Sequence, residues 1–208
     1  MTTPVLAIEG ISKRFGSTLA NDAVSMTLAR GEIVALLGEN GAGKTTLMSI
    51  LFGHYVPDAG RILIDGAELP PGKPRAAIRA GIGMVHQHFS LAPNLTVLEN
   101  IMTGTERLWS WRSETGAARR KLMDIAERFG LKVDPEARLG DLSVGEQQRV
   151  EILKALYNDA RILILDEPTA VLTNIEAERL FSTLKEMARQ GLSLIFISHK
   201  LDEVMAAA

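Results

Sequence analysis

Residues Gly38-Glu39-Asn40-Gly41-Ala42-Gly43-Lys44-Thr45 fit the pattern G-x-x-x-x-G-K-[ST], whose glycines let backbone N–H groups close around phosphate oxygens. Such a loop offers a point charge, here Lys44, to the β and γ phosphates of a nucleotide, and the Thr45 hydroxyl can ligate Mg2+. Far along the chain, the apolar run Ile162-Leu163-Ile164-Leu165 ends in two adjacent carboxylates, Asp166 and Glu167. The first can hold Mg2+ directly or through water. The second, beside the metal without being its ligand, can polarise a water that attacks the γ-phosphate. Alone, an Asp-Glu pair after a strand is usually a solvated turn; paired with the phosphate loop, the catalytic reading is preferred. A third segment, Leu142-Ser143-Val144-Gly145-Glu146-Gln147-Gln148, places Ser143 and Glu146 at capping-box spacing, so it should open a helix with free N–H groups. A cap needs no glycine at Gly145, whereas close approach of backbone to a phosphate does.

These groups need elements to carry them. Ile33-Val34-Ala35-Leu36-Leu37 is apolar throughout and is predicted as a strand buried on both faces of a parallel sheet, followed by a helix over Lys44 to Leu51. Val5 to Ile8 and Val24 to Leu28 read as short strands, and Arg61 to Gly66 as a strand ending in a turn. From about residue 90 to 158 apolar residues recur at helical spacing, with Leu122, Ile125, Ala126 and Phe129 on one face and Gly130 as a stop. This stretch is expected to be a mostly helical lobe. Within it, Leu108 to Ala118 carries both tryptophans without periodicity and reads as a loop or helix end. Strand and helix then alternate again: strand 162–165, a helix from about Ile175 to Gln190 opened by a Thr173/Glu176 capping box, and strand Leu194 to Ile197. Ala177, Leu180, Phe181, Leu184 and Ala188 form that helix's apolar face. In such a sheet, the carboxyl edge is where the phosphate loop and the Asp166-Glu167 pair should meet.

The 208 residues suit one domain with an inserted lobe, and 46% apolar with 23% charged residues is the balance of a folded soluble protein. No apolar window reaches the ~18 residues of a bilayer-spanning helix. The start, Met1-Thr2-Thr3-Pro4, lacks a basic region followed by an apolar run, so a cytoplasmic chain is expected. The absence of cysteine excludes disulfides and thiolate metal sites, and a net charge of −2 gives no general pull toward nucleic acid or anionic lipid.

Leu142 to Gln148 resembles the L-S-G-G-Q signature of ABC ATPases, with Val144 in the third place and Glu146 in the fifth; importers of this type are similar, with L-S-V-G-x-x-Q. The resemblance covers essentially the whole chain. It implies an α/β fold: a P-loop NTPase core with a mainly parallel sheet, a small antiparallel β subdomain and an inserted helical subdomain. Residues of about 1–89 and 159–208 would form the core with its β subdomain, and about 90–158 the helical one. ATP would be held by Gly38, Glu39, Asn40, Gly41, Ala42, Gly43, Lys44, Thr45 and Thr46. Phe15 would stack on adenine. Ser143, Gly145 and Glu146 would contact the ATP of an opposite subunit. Gln87, in the Q-loop place, would reach Mg2+ or the attacking water beside Thr45 and Asp166, and His199 would serve as the switch histidine on the γ-phosphate.

Gly83-Met84-Val85-His86-Gln87-His88-Phe89, Pro93 to Asn100 and Asp166 to Thr173 look like the branch importing simple sugars and nucleosides. That resemblance implies ATP hydrolysis with Mg2+, a second ABC ATPase domain as partner in the same chain or as a homodimer, transmembrane permease subunits and, indirectly, a solute-binding protein. No nucleic acid is implied, and the location would be peripheral, at the cytoplasmic face of the cell membrane. Two features depart from the pattern. Thr173 replaces the usual D-loop aspartate, which implies asymmetric coupling between sites. The chain also stops at Ala208, where the family continues with further strands, so a truncated first half of a tandem pair is expected. Roles in DNA repair or on the ribosome fit less well, because the chain shows neither a heptad run between Lys44 and Leu142 nor basic segments for RNA. A non-hydrolysing regulatory half is the other alternative, although Glu167 and His199 are both present.

Overall fold

The strand and helix signals resolve into two four-stranded sheets in a computed structural model that describes residues 3–86, 90–103 and 111–207. A hairpin of β1 (Leu6–Phe15) and β2 (Thr18–Leu28) leads to β3 (Ile33–Leu37) and helix α1 (Lys44–Phe52). Then come β4 (Ala59–Ile64), β5 (Ala67–Glu68), α2 (Pro74–Arg79) and β6 (Ile82–Val85). Three helices follow, α3 (Val97–Met102), α4 (Trp111–Arg128) and α5 (Val144–Tyr157), with a 3-10 turn at Leu139–Asp141 before the last. The chain closes with β7 (Ile162–Asp166), α6 (Asn174–Arg189), β8 (Ser193–Ser198) and α7 (Leu201–Ala207). One sheet is antiparallel in the order β2-β1-β4-β5; the other is parallel in the order β3-β8-β7-β6. This is the α/β P-loop architecture, with its antiparallel sheet alongside.

Alternation along the central strands explains where the core sits. Leu163 and Leu165 of β7 and Leu194 and Phe196 of β8 join one apolar cluster with α3, α4, α5 and α6. Their neighbours Ile162, Ile164, Ile195 and Ile197 join the other, with α1, β1 and β4. Every one of these side chains is at most 1% exposed, as a strand covered on both faces requires.

Two expectations are corrected and a third is narrowed. β3 was expected to be buried on both faces, yet it is an edge strand whose residues are only partly covered, with Leu37 47% exposed. Its apolar run reflects side chains leaning on the clusters rather than full enclosure. β1 and β2 extend far beyond the short strands predicted, because bulged pairing with register shifts carries the hairpin through polar residues around Gly10, at φ +61°. The stretch Leu108 to Ala118, read as a loop or helix end, is helical over its described residues, from Trp111, and Ala118, Leu122 and Ala126 of this helix are buried.

Candidate functional site

Parallel register gathers the candidate residues. Leu37 lies opposite Ser198, Asp166 opposite Ile197, and Val85 opposite Leu165. The residues that follow, Gly38, His199, Glu167 and His86, therefore leave neighbouring strands at one edge of the sheet, the edge where open α/β sheets bind ligands. Gln87 comes next along the chain from His86 but lies outside the described residues.

The phosphate loop leaves β3 at this edge. Gly41 and Gly43 hold φ of +87° and +83°, and α1 starts with Gly43 as its N-cap, with no side-chain cap and no acidic residue in its first turn. The helix N-terminus, with Lys44, Thr45 and Thr46 as its first residues, thus keeps backbone N–H groups available for an anion. Lys44 Nζ donates to the carbonyls of Gly38 and Glu39 at 2.6 and 2.8 Å, folded over the loop it would share with phosphate. Glu39, Asn40, Gly41, Ala42 and Thr45 are exposed. Gly38, Glu39 and Asn40 border a cavity of about 440 Å3 together with His199 and Leu201. Asn21 of the hairpin, buried and invisible to motif reading, donates from Nδ2 to the Gly43 carbonyl at 3.1 Å and so fixes the loop from behind.

Across the edge, burial and the neighbouring Glu167 carboxylate push the Asp166 carboxyl up, against the opposing pull of His86 and Lys44. A carboxylate so placed is relieved by a cation, which fits Mg2+. Among the described residues no three His, Asp or Glu side chains converge into a metal cage. A divalent ion here would therefore rely on Asp166, Thr45 and the nucleotide's own phosphates, the usual arrangement for Mg2+. Glu167 has φ +46°, its N–H donates to the Ile197 carbonyl at 3.1 Å, and its Oε1 lies 3.1 Å from His199 Nδ1.

Ser143, Gly145 and Glu146 are not part of this edge. They border a different cavity, of about 250 Å3, with Arg149, Glu176 and Arg179. The capping pair forms: Ser143 donates its N–H and O–H to Glu146 Oε2 at 2.9 and 2.8 Å, which with Arg149 holds the Glu146 carboxyl below its ordinary range. A Cβ added at Gly145 would stand 3.2 Å from Glu176 Oε1, the tip of a side chain, which would have to shift by a few tenths of an ångström. Phe15 is 43% exposed, edge-on to Tyr55 at 5.3 Å, with Lys13 5.5 Å from its ring centroid.

One contact that the sequence did not disclose joins the two regions. Gln148 of α5, buried, donates from Nε2 to the Pro168 carbonyl at 2.5 Å, directly after Glu167. Gln148→Ala strands that carbonyl and is expected to cost about 1–3 kcal/mol in urea denaturation; unchanged stability would show that the bond contributes nothing.

Comparison with known proteins completes the picture. The ABC transporter family model matches residues 21–170. The nucleoside import ATP-binding protein NupA of Lactococcus lactis subsp. cremoris is 49% identical over 98% of this chain and 40% of its own length. The ribose import ATP-binding protein RbsA 1 of Burkholderia thailandensis is 51% identical over 96% of this chain, again 40% of its own. The glucose import ATP-binding protein TsgD13 of Haloferax volcanii is 46% identical over 98% of this chain and 42% of its own. The chain thus spans about two fifths of the length of these relatives. Among solved structures, the ADP conformation of MJ1267, an ATP-binding cassette of an ABC transporter, superposes with a TM-score of 0.86 at 27% identity, covering 99% of this chain and 85% of that one.

Proposed function

Because the chain belongs to the ABC transporter family, we propose that it binds Mg-ATP at the carboxyl edge of its parallel sheet and hydrolyses it to energise import of a small polar solute, such as a simple sugar or nucleoside. The observation that carries this reading is the meeting, on adjacent strand ends, of an uncapped phosphate loop with the Glu167–His199 pair. In this reading the loop from Gly38 to Thr46 binds the phosphates through its N–H groups and Lys44, while Phe15 carries the adenine. Thr45, Asp166 and Gln87 would hold Mg2+, whose charge would offset that developing on the phosphate oxygens. Glu167 takes the proton of the attacking water. His199, held through Nδ1 by Glu167, would turn its other ring nitrogen toward the γ-phosphate as charge moves toward the leaving oxygen.

The separate position of Ser143, Gly145 and Glu146 supports a two-domain site, in which these residues close on ATP held by a second ABC domain, in the same polypeptide or another copy. The division into a core of about 1–89 and 159–208 with a helical lobe of about 90–158 belongs to the same proposal. Among the described residues no helix is long and apolar enough to cross a membrane. Membrane attachment would therefore run through permease subunits at the cytoplasmic face, and a solute-binding protein would select the cargo.

Lys44→Ala tests the binding step. Loss of the charge-assisted contacts is expected to weaken Mg-ATP affinity at least about tenfold in titration calorimetry, with little change in unfolding temperature. No binding of Mg-ATP by the wild-type chain would overturn the proposal.

A further inference from the structure

The two strand ends that carry Glu167 and His199 meet at one side chain outside every motif of the sequence. Glu203, on α7, accepts hydrogen bonds from Thr169 Oγ1 at Oε1 and from Ser198 Oγ at Oε2, the latter at 2.6 Å, and pairs with Lys200 Nζ at 3.0 Å. The Lys200 N–H in turn donates to Ser198 Oγ at 3.0 Å. Thr169 and Ser198 are 4% and 1% exposed, and the Glu203 side chain 12%. Burial pushes this carboxyl up, but the bonds from Ser198, Thr169 and Lys200 outweigh it and hold the group below the ordinary carboxylate range.

The network brackets the reacting pair. Thr169 follows Glu167 after one proline, and Ser198 and Lys200 stand on either side of His199. Glu167 itself holds a left-handed backbone, φ +46°, that a residue with a side chain adopts only when its surroundings impose it. With the Thr169 turn loose, the Glu167 carboxylate would lose its fixed aim at His199 Nδ1.

We propose that Glu203 is a positioning residue, a single carboxylate that clamps the loop after β7 to the end of β8 and so fixes the Glu167–His199 contact. This rests on the ATPase reading of the site. The clamp needs reach to two hydroxyls rather than charge alone. Glutamine keeps that reach, because both hydroxyls can turn to donate or accept; aspartate is one methylene short, and alanine removes the group.

The test compares Glu203→Gln, Glu203→Asp and Glu203→Ala in the full chain, reading kcat and KM for Mg-ATP and the nitrogen-15 spectrum of His199. The Asp and Ala variants are expected to lose about tenfold or more in kcat with KM changed less than about threefold, and Gln to restore most of the loss. In the Ala variant the His199 Nδ1 resonance should shift as its bond to Glu167 loosens. A residue that merely anchors α7 would lower stability and leave kcat of the folded protein unchanged, which would overturn the proposal, as would an Asp variant that equals wild type. If the wild-type chain turns over no ATP, the functional reading is what fails. The histidine spectrum then decides the clamp, and an unshifted Nδ1 resonance in the Ala variant overturns it.

Discussion

Replacing Glu167 by glutamine is expected to slow ATP hydrolysis by about 100-fold or more, the usual yield of a positioned general base, while Mg-ATP still binds. The substitution keeps shape and the contact to His199 Nδ1, which lies 3.1 Å from Glu167 Oε1. It removes the ability to accept a proton from water. Because binding survives and turnover does not, the variant should accumulate in the closed, two-site state. On gel filtration a shift from monomer to dimer only with Mg-ATP is expected, with ATP shared between Lys44 of one copy and Ser143 of the other. Turnover within about threefold of wild type would remove Glu167 from the base role.

The second large effect is at the loop's hinge. Gly43→Ala is expected to destabilise the fold by about 3 kcal/mol or more and to abolish nucleotide binding, whereas Gly41→Ala should cost only about 1–2 kcal/mol. Both residues occupy the left-handed region, at φ +83° and +87°, so conformational strain is common to the two. The difference is space. A Cβ on Gly43 would meet the Ala20 carbonyl oxygen at 2.1 Å and Asn21 Nδ2 at 2.9 Å, while one on Gly41 has no atom within 4 Å. Backbone cannot yield as a side-chain tip does, so the loop must leave its place over the hairpin and give up the Asn21 bond. Urea denaturation with parallel calorimetric titration of Mg-ATP measures both effects. Equal losses in the two variants would mean that strain alone acts and that the hairpin does not hold the loop.

Where the sequence was informative, residues acted as contiguous runs. The spacing from Gly38 to Thr45 defines a loop by itself, and the apolar run before Asp166 defines a strand, so the edge where they gather follows from parallel pairing. The capping pairs Ser143/Glu146 and Thr173/Glu176 are equally local, and both form. What stayed hidden depends on contacts between distant segments. Asn21 under the loop, Gln148 on the Pro168 carbonyl and Glu203 between Thr169 and Ser198 are polar residues that look like ordinary surface or helix positions until the chain folds. The exposed edge of β3 was unreadable for a related reason, since apolar content reports preference for burial and not a strand's rank within its sheet.

The shared strands at the centre have a consequence for cooperativity. Residues of β7 and β8 alternate between the two apolar clusters, so neither cluster can melt without stripping one face of the strands that carry Glu167 and His199. The proposed catalytic pair is thus built on the part of the molecule expected to open only in global unfolding, while the phosphate loop leaves an edge strand that is only partly covered and is expected to be less strongly protected. On the proposed reading, nucleotide would be taken up at the more lightly covered side, and the chemistry would be held by the side enclosed on both faces.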